Sequence, residues 1–239
     1  MSSKEFQIKK PGISPIDVST VQERVYQSLR LALLKGEFMP GEQVSTRGLA
    51  QAFGTSPMPV RDALARLVAE KALEQPSPRV LRVPPYEAAD HEEYIRIRMQ
   101  LEGYATERAS RANPPGLIGT LKSHNEQFRA ALDDNNIEQA LAENHALHFA
   151  IYNASGYTQL VDMISSLWLR TGPILASAQK NSALFERLFR IGYDIHNDVI
   201  AGIECRNHDA VRRAMLLDIR STHFSIRHYF KTLQEQEGS

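Results

Sequence analysis

Residues 45–73, STRGLAQAFGTSPMPVRDALARLVAEKAL, decide how the rest of the chain is read. Leu49, Ala50 and Phe53 fall at i, i+1 and i+4, and Gly54 follows where a helix ends in a left-handed residue. That spacing predicts a helix of about two turns with a firm stop. Ser56 then offers an N-cap oxygen, Pro57 suits the first helical position, and Val60, Leu64, Leu67 and Val68 recur at helical spacing. One face of this second helix is expected to be buried, leaving Met58, Arg61 and Ala65 on a small, partly cationic outer face. Two helices joined by a short turn containing Gly form a helix-turn-helix, an outline shared by DNA-reading motifs and by corners in ordinary helical proteins.

The flanks favour the DNA-reading alternative. Upstream, residues 21–35 are amphipathic through Val25, Leu29, Ala32 and Leu33, and run into a loop punctuated by Gly36, Pro40 and Gly41. Downstream, residues 73–76 and 80–83 predict two short strands joined by a loop tipped with Arg79. Helix, helix-turn-helix and hairpin together make a winged helix.

Residues 34–73 resemble the DNA-binding domain of GntR-family bacterial transcription regulators, whose pattern is approximately G-x-x-x-P-G-x-x-L…LA…G-x-S-x-x-P-V-R-x-A-L-x-x-L. The match runs through Gly36, Pro40, Gly41, Leu49, Ala50, Gly54, Ser56, Pro59, Val60, Arg61, Ala63, Leu64 and Leu67. The resemblance implies that Arg47, Ser56, Met58 and Arg61 contact double-stranded DNA, with Arg79 on the wing. Two positions depart from the pattern: Pro57 stands where Arg is usual, and Val80 where Gly usually follows the wing Arg. Pro57 and Pro59 delete two N–H groups that would hold a phosphate at the helix N-terminus. Base reading is therefore expected to lean on Arg47 and Arg61, on an operator unlike the commonest family sites. Asp62 and Glu70 are the carboxylates that would instead hold Arg61 on a solvated face.

A length of 239 residues leaves room for one large or two modest domains, and 42% hydrophobic with 23% charged residues is ordinary for a soluble protein. No apolar run approaches the roughly 20 residues a membrane span needs, and MSSKEFQIKK lacks a signal-peptide core, so a cytoplasmic protein without a membrane partner is expected. Cys205 is the only cysteine, which excludes an internal disulfide or a Cys-rich metal cluster; it is expected as a small apolar helix residue. The net charge of zero is unevenly spread: residues 1–84 hold 12 Lys+Arg against 8 Asp+Glu, and the remainder 16 against 20. A surplus of four positive charges becomes a useful attraction for phosphates when doubled in a homodimer.

Residues 1–18 carry Pro11, Gly12, Ser14 and Pro15 with little periodicity and read as a mobile arm. Pro84-Pro85 breaks any element, placing a DNA-binding domain at 19–84 and a second domain at 85–239. The second is helical almost without interruption, with helices expected at 87–112, 115–134, 137–154, 157–178, 182–205 and 207–233 and breaks including 179–181. The fold class is mainly α: a winged helix-turn-helix followed by an antiparallel bundle of six helices.

Within that bundle Asn144 and His148 share a face at i, i+4, His196 sits among Val199, Ile200 and Ile203, and Asp218 lies beside Met215 and Ile219. Buried together without partners these four would cost several kcal/mol, and a cation would satisfy them at once. The alternative is a set of hydrogen-bonded core residues. His91, His124, His145, His208, His223 and His228 are expected as exposed or boundary histidines.

The run N144-x-x-L-H148-F-A-I-x-x-A-S-G, then H196-x-x-V-I-x-x-I and D209-x-x-x-x-A-M215-x-x-D218, resembles the effector domain of the FadR-like, FCD-type branch of the same family. The resemblance implies a divalent metal held by Asn144, His148, His196 and Asp218, although His is usual where Asp218 stands. Two N and two O donors suit zinc, nickel or manganese. Arg98, in RIRMQLEG, resembles the branch's R-x-x-L-E motif and is a candidate anchor for a carboxylate effector, with Glu102 as the competing partner one turn on. Arg170, in WLRTGP, is a candidate companion.

Two functional classes follow. One is a ligand-responsive repressor that grips a near-palindromic operator as a dimer and senses a small organic acid. The other is a metal-dependent hydrolase built on the bundle site. No HExxH helix, nucleophile elbow or phosphate loop supports the second, and it leaves the helix-turn-helix without a use.

Overall fold

The computed structural model describes residues 20–177 and 182–237, with the side chains of 182–185 and 237 set aside. The arm expected at 1–18 and the helix break expected at 179–181 lie outside the described residues. α1 (Val21–Leu34) starts where the Thr20 hydroxyl accepts from the Glu23 amide, and α2 (Thr46–Ala52) where Ser45 Oγ accepts from Gly48 N–H. α2 stops at Gly54, which has φ of +61°, as the turn to α3 (Pro57–Ala69) requires. Val25, Leu29 and Leu33 of α1 and Val60, Leu64 and Leu67 of α3 close one apolar core. β1 (Glu74–Ser77) and β2 (Val80–Arg82) pair antiparallel around Pro78 and Arg79. A third edge was not foreseen: the Val44 amide donates to Leu81 O, and Val83 N–H to Glu42 O, so residues 41–44 line up beside β2.

After Pro84-Pro85 come α4 (Ala88–Ala112), α5 (Leu117–Asp133), α6 (Ile137–Ala154), α7 (Thr158–Ser177), α8 (Ser182–Glu204) and α9 (His208–Glu237). α9 runs four residues beyond the expected end, and Gly116, at φ of +87°, delays α5 to Leu117. α4 packs on α6, α7 and α9, α5 on α6 and α8, and α8 on α9, around Leu121, Leu147, Ile151, Ile203 and Met215. Cys205 is not a helix residue: it is exposed in the turn that follows α8. No helix among the described residues is long and apolar enough to cross a membrane.

His91 and His223 also correct an expectation, being 6% and 3% exposed. The His91 ring packs between Tyr86 and His223, with centroids 5.2 and 5.0 Å away. Burial, aided by the charges of His223 and Arg98 and opposed by Glu92, pushes its pKa down to about 3. Burial, with His148 and Arg30 nearby, takes His145 down to about 4. Both rings are neutral in the folded chain yet titrate near 6.5 when unfolded, so the unfolded state binds more protons below that pH. Stability is therefore expected to fall by on the order of 5 kcal/mol between pH 7 and pH 4. Urea unfolding across that range measures it, and His91→Gln should flatten part of the slope.

Candidate functional site

The outer surface of the winged helix carries every expected DNA contact. Arg47, Ser56, Met58, Arg61 and Arg79 are all exposed. Arg61 and Arg79 line one groove between α3 and the hairpin, together with Gln43, Thr46 and Gln75. Neither Asp62 nor Glu70 holds Arg61: Glu70 accepts from the Tyr26 hydroxyl at 2.7 Å and pairs with Arg66 at 3.3 Å. Arg66 lies over the Tyr26 ring at 3.6 Å and also reaches Glu23, so it fastens α3 to α1. Among the described residues Arg47, Arg61 and Arg79 make no ion pair. Ser56 is the N-cap residue of α3, as expected, but its hydroxyl makes no cap hydrogen bond. Pro59 occupies the third helical position and has no N–H to give, which leaves that hydroxyl free.

Inside the bundle, α6, α8 and α9 bring His148, His196 and Asp218 together, with one ligand atom of each within 4.8 Å of the others. Asp218 Oδ2 lies 3.2 Å from His148 Nε2, and Oδ1 lies 3.8 Å from His196 Nε2. All three side chains are buried. Asn144 is buried too and, with His148 and Asp218, lines a cavity of about 20 Å³ alongside Arg98, Trp168 and Thr171.

Hydrogen bonds on the far side of each ring decide what the near side presents. The Tyr152 hydroxyl donates to Glu102 Oε2, so its oxygen accepts from His148 Nδ1–H at 2.9 Å. The Asn125 amide donates to Asn197 Oδ1, and its own Oδ1 accepts from His196 Nδ1–H at 3.1 Å. In the neutral rings both Nε2 lone pairs therefore face a carboxylate, and His196 Nε2 has no hydrogen-bond partner among the described residues. Burial, only partly offset by Asp218, lowers the His196 pKa to about 4, keeping the ring neutral. Burial raises the Asp218 pKa, but the surroundings, with Arg98, His148 and His196 beside it, outweigh that and hold the carboxyl below its ordinary range.

Two imidazole nitrogens and a carboxylate brought this close together fit a divalent cation. Tetrahedral ligands at about 2.1 Å from a metal sit roughly 3.4 Å apart, close to the spacings present here. Tyr152 and Asn125, which fix the rings, were not singled out in the sequence. Tyr152 was legible as the i+4 neighbour of His148, whereas Asn125 lies on another helix and left no local signal.

Arg98 is held bidentate by Glu102, Nε to Oε1 at 2.6 Å and Nη2 to Oε2 at 3.1 Å, both side chains being buried. The competing partner thus takes two guanidinium nitrogens, and Nη1 makes no hydrogen bond among the described residues. Arg170 is not brought to this cavity. It lines a separate cleft with Pro85, His91 and Tyr94, and its Nε donates at 2.9 Å to the carbonyl of Lys71, just past α3.

Comparison with known proteins accounts for both halves of the molecule. The model of bacterial regulatory proteins of the gntR family matches residues 21–77, and that of the FCD domain matches residues 93–221. The HTH-type transcriptional regulator McbR of Escherichia coli (strain K12) is 32% identical over 163 residues, 68% of this chain and 74% of that protein. The solved structure of E. coli McbR/YncC has a TM-score of 0.81 at 25% identity, covering 89% of this chain and 100% of that one. The gluconate operon transcriptional repressor of Bacillus licheniformis is 23% identical over 203 residues, 80% of this chain and 79% of that protein. With both matches in this order, the second spanning more than half its length, the chain belongs to the GntR family, in the FadR-like branch that carries an FCD effector domain, and is a transcription regulator rather than an enzyme.

Proposed function

We propose that this regulator is a cytoplasmic, metal-containing repressor in which residues 19–84 grip an operator half-site and residues 85–239 dimerise and bind an effector. The observation that carries the reading is the set of exposed arginines 47, 61 and 79, none in an ion pair among the described residues, of which Arg61 and Arg79 line a groove between α3 and the wing. Arg47 and Arg61 read base edges, with Arg79 on the wing, Met58 at the helix tip and Ser56 donating to the backbone. The operator is a near-palindrome, because two such units are needed for tight, specific binding. Ile97 and Tyr104 on α4 and Leu217 and Phe224 on α9 are exposed apolar residues on neighbouring helices, and they supply the face on which a second copy packs. The repressor sense follows the gluconate operon relative.

In the bundle, His148, His196, Asp218 and Asn144 hold zinc, nickel or manganese, which supplies a positive centre for an anionic ligand. The free Nη1 of Arg98 is the second anchor for an effector carboxylate. A cavity of about 20 Å³ accommodates an ion and a water, so a larger organic acid enters only if the wall formed by Trp168, Thr171 and Leu175 gives way.

The test is selection of a binding duplex from random-sequence DNA by the purified chain, followed by affinity measurements at several salt concentrations. A selected palindrome bound with a steep salt slope is expected; retention independent of sequence and salt would overturn the reading. For the metal, Tyr152→Phe is expected to weaken affinity by about 10- to 100-fold while leaving all four ligands in place, as loss of an outer partner does. Competition with a chromophoric chelator measures it.

A further inference from the structure

α7 carries two adjacent stripes that face different parts of the molecule. Trp168, Thr171 and Leu175, at i, i+3 and i+7, line the cavity that holds His148 and Asp218. The Trp168 ring lies 5.1 Å from the His148 ring, and the Arg98 guanidinium stands 4.9 Å from it. One residue further round, Ser165, Leu169, Gly172 and Ala176, at i, i+4, i+7 and i+11, meet α1 of the winged helix and the loop that follows it. Ser165 Oγ accepts from Arg30, and Leu169 is fully buried in the winged-helix core. Gly172 presses its backbone on the Leu33 carbonyl, where a Cβ would collide, and Gly36, at φ of +73°, abuts Ala176. Arg170, on the same turns, holds the Lys71 carbonyl at the end of α3.

Most helix contacts have a layer of side chains between backbones that absorbs small shifts by changing rotamers. Here that layer is absent at Gly172. Any movement of the Trp168 stripe therefore displaces α1 directly, and α3 with it through the shared core and Lys71. We infer that α7 is the coupler between the bundle cavity and the DNA-reading helix, with Gly172 and Arg170 as its two points of attachment. This rests on the reading of the cavity as a metal site. It extends that reading by naming the element through which the two sites are linked.

The full chain is stripped with chelator and titrated with zinc alone, with two readouts. Emission of Trp168, the single tryptophan, reports the cavity. Amide hydrogen exchange in residues 31–36 and 69–73 reports the winged helix. In the unaltered chain zinc is expected to change the emission and to slow exchange in both segments about fivefold or more. Gly172→Ala is expected to keep zinc stoichiometry and the emission change while the exchange response shrinks below about twofold. Arg170→Ala, a half-buried position that leaves the core intact, is expected to lose the response at 69–73 while keeping that at 31–36. Exchange responses that persist undiminished in both variants would overturn the coupling alone. Absence of zinc uptake by the unaltered chain would overturn the metal reading, and the coupling with it.

Discussion

Arg61→Ala is expected to weaken operator recognition severely while leaving the fold intact. The side chain is exposed and makes no ion pair among the described residues, so its removal strands no partner and opens no cavity. Loss of a bidentate base contact costs about 1–3 kcal/mol per site. A dimer uses the residue twice, so affinity for the selected duplex should fall at least about 30-fold, with discrimination relaxed at the contacted base pair. Fluorescence anisotropy at fixed salt measures this, alongside thermal unfolding as the control. Arg66→Ala should give the converse pattern: Arg66 ties α3 to α1 through Tyr26, Glu23 and Glu70, so stability suffers first. Unchanged DNA affinity in the Arg61 variant would remove the central residue from the interface.

His196→Ala should abolish metal retention. The ring supplies one of two neutral nitrogens, and losing an outer partner alone typically weakens a site 10- to 100-fold, so loss of a ligand should exceed about 100-fold. After dialysis, elemental analysis should find about one metal per protomer in the unaltered chain and essentially none in the variant. A ligand that binds only the folded state stabilises it by about 2.7 kcal/mol at a hundredfold excess over Kd. Chelation should therefore lower the Tm of the unaltered chain and leave that of the variant where it was. Full metal content in the variant would leave His148 and Asp218 as hydrogen-bonded core residues.

The winged helix was legible because its punctuation is local. Gly54 ends one helix, Pro57 opens the next, and each signal acts within a turn of the residue that carries it. The edge formed by residues 41–44 was not, since its pairing with β2 spans some forty intervening residues and no alternation marks it. The juxtaposition of His148, His196 and Asp218 was legible through the resemblance to the FCD branch, since polar residues bordering apolar stripes left a hydrogen-bonded core equally open. Arg98 had two candidate partners at the sequence level, and in the folded chain Glu102 takes two of its three nitrogens because a buried guanidinium needs a counter-charge. Arg170 was read as a companion to Arg98 but points elsewhere, because it sits two positions beyond Trp168, about 200° around α7. His91 and His223 were misplaced for a related reason: an imidazole bordering an apolar face can be covered by a neighbouring helix that its own segment does not reveal.

The paired prolines at the tip of α3 bear on how such a regulator would search a chromosome. Non-cognate DNA is held through phosphates, and a helix end stripped of two amide donors offers them a poorer seat. Residence on random sequence should be brief, with frequent dissociation and short sliding runs. A regulator of this build would then find a rare operator chiefly by repeated encounters from solution rather than by long one-dimensional travel.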